Sequence, residues 1–150
     1  MAGGGLKRRP VTAEIEGSNP FDRAILMTKL VYLGVGTLFG GFARYFLAGA
    51  VYRTFGSAFP YGTLAVNLLG CFLIGFLNAI SEERLLLGPG GRLLLMTGFC
   101  GAFTTFSTFM LETGNLLKDG EISRAFLNVV LSCVAGYIVF RIGVLVGDLI

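Results

Sequence analysis

Four runs of this chain are each long and apolar enough to cross a bilayer, roughly residues 28–52, 61–81, 91–117 and 121–148. Crossing the hydrocarbon core takes about 20 mostly apolar residues. Lipid offers no partner to backbone N–H and C=O groups, so each run must satisfy its own as a helix. This alone narrows the chain to an all-α membrane fold with four spans. Composition agrees, with 54% hydrophobic and only 14% charged residues, against about 25% charged in an ordinary soluble domain. Residues 1–25 are rich in Gly, Pro and charge and read as a disordered tail. They hold no apolar core of a signal peptide. Residues 26–150 read as one four-helix domain.

What the chain lacks is also informative. The net charge is +3, and the bases are spread over tail and loops. No basic stripe exists to bind nucleic acid. There is no histidine, which removes the commonest metal ligand and the usual proton relay. Histidine-based nucleophile pairs are excluded with it, so the chain reads as a non-enzyme. Cys71, Cys100 and Cys133 fall in three different runs. No pair has metal or redox spacing, and they read as small packing residues.

Four spans place both termini on one side. That side carries Arg23, Lys29, Arg84 and Arg92, with Lys7, Arg8 and Arg9 farther out; the other carries Arg53, Lys118 and Arg124. Near the spans the bias is slight, so the positive-inside rule barely chooses an orientation.

The third run contains GFCGAFTTFSTFM, from Gly98 to Met110. Lipid rewards neither its hydroxyls nor its glycines. On an ideal helix Thr97, Gly101, Thr104, Thr108 and Glu112 would form one polar stripe. The helix need not be ideal. Gly98 and Gly101 precede the β-branched pair Thr104–Thr105, a poor helix former. A break near Gly101–Thr105 would free backbone carbonyls at mid-membrane, where transporters use such breaks to hold a cation. Phe106 and Phe109 interleave with Ser107 and Thr108. Beyond packing, a ring edge is electropositive and can face an anion without full charge. Asn67, near the middle of the second run, offers two amide donors. It shares a face with Cys71, Ile74 and Asn78. Arg44 lies within the first run and either snorkels to an interface or faces a polar cavity. Gly36, Gly40 and Gly41 thin one side of that run, and Gly143 and Gly147 do the same in the fourth. Asn128 and Ser132 share a face of the fourth run.

Three motifs, GTLFGGFARYF (Gly36–Phe46), GTLAVNLLGCFLIG (Gly62–Gly75) and GFCGAFTTFSTF (Gly98–Phe109), resemble the Fluc/CrcB family of fluoride channels in order and spacing. The resemblance covers roughly residues 28–148. It implies passive, selective fluoride export across the cell membrane by a four-helix subunit. It also implies a dual-topology antiparallel homodimer, which suits the slight charge bias. By the same resemblance Phe106 and Phe109 line the fluoride path with Asn67. Ser107, Thr108 and Ser132 join a polar track. The carbonyls of Gly101 and Thr104 hold a structural sodium ion at the dimer axis. Arg44 and Glu112 occupy motif positions of open role. The long tail, Ala102 where many members have Gly, and Asn128 where other polar types occur are departures. Two other readings compete. A small four-helix proton-coupled antiporter would need a titratable carboxylate, for which Glu112 is the candidate. A non-transporting scaffold would carry no ion.

Overall fold

A computed structural model describes residues 19–82 and 86–149. The expected tail lies largely outside them, at residues 1–18. Among the described residues every regular element is helical, and four helices are long and apolar enough to cross a membrane.

Helix α1 spans Pro20–Phe55. It starts well before the apolar run, and residues 20–25, read as tail from composition, belong to it. The cause is local. Asn19 accepts the Asp22 N–H at 3.0 Å, and Pro20 suits the first helical position. At about 1.5 Å per residue, its 36 residues exceed a hydrocarbon core of about 30 Å. Gly56, at φ 77°, ends the helix by donating to the Tyr52 carbonyl. Helix α2 spans Tyr61–Glu82. The third span is two helices, α3 over residues 89–103 and α4 over Phe106–Lys118. Gly120, at φ 76°, makes the turn expected at Asp119–Gly120. There the Glu121 N–H returns to the Leu116 carbonyl. Helix α5 spans Ile122–Asp148. Two stretches widen to π-helical geometry, Arg92–Cys100 in α3 and Leu131–Ala135 in α5.

The bundle forms two tight pairs, α1 with α3 and α2 with α5. Glycine sets both. A Cβ on Gly36 or Gly40 would strike the backbone of α3 at Leu94 and Phe99, and one on Gly143 would strike that of α2 at Phe72. Small residues let helices approach closely where lipid supplies no hydrophobic drive between them. Gly41 faces open space and takes no part. Large apolar side chains such as Phe39, Phe42 and Phe46 point outward from α1, as lipid permits.

Candidate functional site

The third span breaks at Thr104–Thr105. Thr104 (φ −86°, ψ 159°) and Thr105 (φ −150°, ψ 113°) are both extended. Gly101 remains helical. The β-branched pair, not the glycine, is therefore the point of fracture. Thr104 closes α3 by donating both its N–H (3.1 Å) and its hydroxyl (3.0 Å) to the Cys100 carbonyl. Thr105 opens α4 as its cap, with Oγ1 accepting the Thr108 N–H at 3.2 Å.

Asn67 of α2 spans the fracture. Its Oδ1 accepts the Thr105 N–H at 2.8 Å, and its Nδ2 donates to the Thr105 carbonyl at 3.1 Å. In an unbroken helix that N–H would bond the Gly101 carbonyl. One Asn67 N–H is thus committed to the backbone; the second has no protein partner among the described residues.

A cavity of about 410 Å³ opens beside this joint. Asn67, Gly101, Thr104, Phe106, Phe109 and Ser132 all border it, although they come from α2, α3, α4 and α5. Phe109 is 5% exposed and Phe106 72%, with ring centroids 5.7 Å apart and planes tilted by 46°. The Ser132 hydroxyl is buried without a partner among the described residues. Cys71, Cys100 and Cys133 border the same cavity, a convergence that their separate runs do not reveal.

Thr105 also borders a second cavity of about 400 Å³, with Arg44, Tyr45, Thr63, Thr108 and Glu112. Here Glu112 Oε1 accepts from the Tyr52 hydroxyl at 2.7 Å and the Thr63 hydroxyl at 2.8 Å. Glu112 Oε2 is buried without a partner among the described residues. Tyr52 and Glu112 in turn border a third cavity toward Asn115 and Asp119. The three spaces share lining residues, Thr105 between the first and second and Tyr52 and Glu112 between the second and third, and the wall of the first is mostly apolar.

The expected polar stripe is not one surface. Thr97 and Gly101 are exposed, in or beside a π-helical stretch whose i→i+5 bonding shifts the register. The break then turns Thr108 and Glu112 toward α1. Ser107 is exposed and borders neither of the first two cavities, its hydroxyl 3.4 Å from Thr105 Oγ1. Thr105, Tyr52 and Thr63 are structural members that motif reading passed over. Thr105 stood within the hydroxyl cluster, but nothing local distinguished it from Thr104.

Backbone oxygen is what the break offers a cation. Diversion of the Thr105 N–H leaves the Gly101 carbonyl without its helical donor, and Thr104 carries its carbonyl out of helical geometry. No group of His, Cys, Asp or Glu suited to a metal occurs among the described residues.

Fold and site define a multi-pass helical protein of the cell membrane, with a broken span and, at the break, mostly apolar cavities that a few polar side chains border. The chain belongs to the CrcB family: it matches the family described as "CrcB-like protein, Camphor Resistance (CrcB)" over residues 31–144. It is 48% identical over 120 residues to a protein of Geobacter sp. (strain M21), covering 80% of this chain and 97% of the relative. A Chlorobaculum tepidum protein is 47% identical over 125 residues, 83% of this chain and 98% of the relative. One from Maridesulfovibrio salexigens is 42% identical over 124 residues, 83% and 98%. All three relatives are described as "Fluoride-specific ion channel FluC".

Proposed function

We propose that this chain is a fluoride-specific channel that lets fluoride leave the cell passively. The observation that carries this reading is the cavity at the break, where Asn67, Ser132 and the Phe106–Phe109 pair converge in a chain closely related to proteins so described. Fluoride is small, and stripping its water is expensive. The cavity offers an amide N–H, a hydroxyl and ring edges, each strengthened by low-dielectric surroundings. None is a fixed positive charge, so an anion can enter and also leave.

The channel works as an antiparallel homodimer. Gly101, Phe106 and Cys133 are exposed at the border of the cavity, so a single chain leaves that side unwalled. The slight charge bias along the sequence supports insertion in both orientations. A structural sodium ion, held by the Gly101 and Thr104 carbonyls, would tie the broken spans together. The diverted Thr105 N–H supports that role. The antiporter reading gains nothing from the relatives, which are described as channels.

The test is fluoride efflux from liposomes containing the purified full chain, with the potential clamped by valinomycin and a parallel chloride measurement. Fast, potential-driven fluoride efflux with little chloride efflux is expected. Folded protein that passes no fluoride would overturn the reading.

A further inference from the structure

We propose that Asn128 is a positioning residue for the aromatic pair, acting through Thr113. It deepens the channel reading above and rests on it.

Asn128 lies on α5 and is 1% exposed, among the most buried side chains of the bundle. Its Nδ2 donates to Thr113 Oγ1 at 2.9 Å. The Thr113 hydroxyl donates at 2.8 Å to the carbonyl of Phe109. An N–H···O–H···O=C chain therefore runs from α5 to the backbone of the residue whose ring walls the first cavity. A threonine that only bonds back to its own i−4 carbonyl is common in membrane helices. What differs here is the second partner: the hydroxyl oxygen is taken by a buried amide from the next span. Each bond in such a chain polarises the other.

The position of the anchor gives it leverage. Ser132 is one turn beyond Asn128 and borders the same cavity as the two rings. Between them α5 changes geometry. The Leu131 N–H is shared by the Asn128 and Leu127 carbonyls, and the π-helical stretch Leu131–Ala135 follows. A widened stretch does not hold the 3.6-residue register by itself. Asn128 fixes the rotation with which α5 enters it, and so fixes where the Ser132 hydroxyl stands relative to Phe106 and Phe109. The relay sets the spacing of an anion-facing cavity, and its loss is felt in discrimination between halides.

The experiment compares Thr113→Val, Thr113→Ser, Asn128→Leu and the Thr113→Val/Asn128→Leu double variant in liposomes, scoring fluoride efflux, chloride efflux and thermal stability. Thr113→Val keeps the side chain's shape and removes the hydroxyl; Thr113→Ser restores it. Thr113→Val and Asn128→Leu are each expected to lower the fluoride-to-chloride ratio about tenfold, the scale of one lost hydrogen bond. Thr113→Ser is expected to match the wild type. The double variant should do no more than either single change, because both remove one chain of bonds. If Asn128→Leu does not fold, the valine–serine pair decides alone. A valine variant with the ratio of the serine variant would overturn the relay, and so would a double variant showing the product of the two single effects. Wild-type liposomes that pass no fluoride would instead sink the channel reading on which the relay rests.

Discussion

Asn67 and Thr105 exchange two hydrogen bonds across the break in the third span, side-chain amide to main-chain peptide, at 2.8 and 3.1 Å. The amide oxygen replaces the helical partner that the Thr105 N–H loses when α3 ends, and the amide N–H adds a bond to the Thr105 carbonyl. Asn67 therefore holds the joint and also borders the cavity. A residue that motif reading assigns to the ion path is also part of the frame.

Replacing Asn67 by Asp tests both roles at once. The carboxylate keeps the acceptor for the Thr105 N–H but sets a negative oxygen against the Thr105 carbonyl. It also places charge in an anion path. Fluoride efflux should fall by more than tenfold, and stability by about 1–3 kcal/mol, the cost of an unmatched buried polar group. Flux at the wild-type rate would remove Asn67 from the pore.

The two phenylalanines should part company in stability. Phe109 is buried and Phe106 is largely exposed. Phe109→Ile should destabilise the fold by about 1–3 kcal/mol through lost packing. Phe106→Ile should stay within about 0.5 kcal/mol in the isolated subunit. Both should slow fluoride efflux. Thermal melts beside efflux rates separate the effects, and fast efflux from both variants would count against the aromatic pair as a pore wall.

Thr105→Val removes the cap of α4, along with the hydroxyl that meets Thr108 at 2.9 Å. A stability loss of about 1 kcal/mol is expected, with Thr105→Ser near wild type. Equal melting points for the two variants would show that the hydroxyl does not cap the helix.

The glycines of α1 offer a matched pair. A Cβ at Gly40 would strike the Phe99 backbone, whereas one at Gly41 meets nothing within 4 Å. Backbone cannot step aside as a flexible side chain can. Gly40→Ala should cost about 1–3 kcal/mol and Gly41→Ala no more than about 0.5 kcal/mol. A melting series of the two variants checks the packing of α1 on α3.

Sodium removal addresses the proposed ion at the break. A ligand present at about 100 times its dissociation constant adds about 2.7 kcal/mol of stability. Exchange of sodium for potassium should therefore lower the melting temperature by several degrees. Equal melting in the two salts would dispose of a sodium site at Gly101 and Thr104.

Four helices, their approximate ends at the Asp119–Gly120 turn and elsewhere, and a fracture in the third were all legible in the order of residues. These depend on local causes: apolar length, glycine at a turn, β-branched neighbours. The polar stripe from Thr97 to Glu112 belongs to an ideal 3.6-residue helix, and the π-helical geometry and the break divide it. The early start of α1 was hidden for another reason. A cap at Asn19 can begin a helix in polar sequence, where hydropathy carries no signal.

What the sequence determined by itself was the class: spans long enough for lipid, hydroxyls and ring edges in a stretch where lipid would reward neither, and no histidine to do chemistry. Only the tertiary structure decided which of those groups meet. Asn67 and Thr105 are far apart in the chain, as are Glu112, Tyr52 and Thr63. Their pairings depend on glycine-set distances between helices that no local pattern encodes. Lipid offers a polar group no partner, and the packing of the spans decides which groups pair and which, like the Ser132 hydroxyl, are left without one among the described residues.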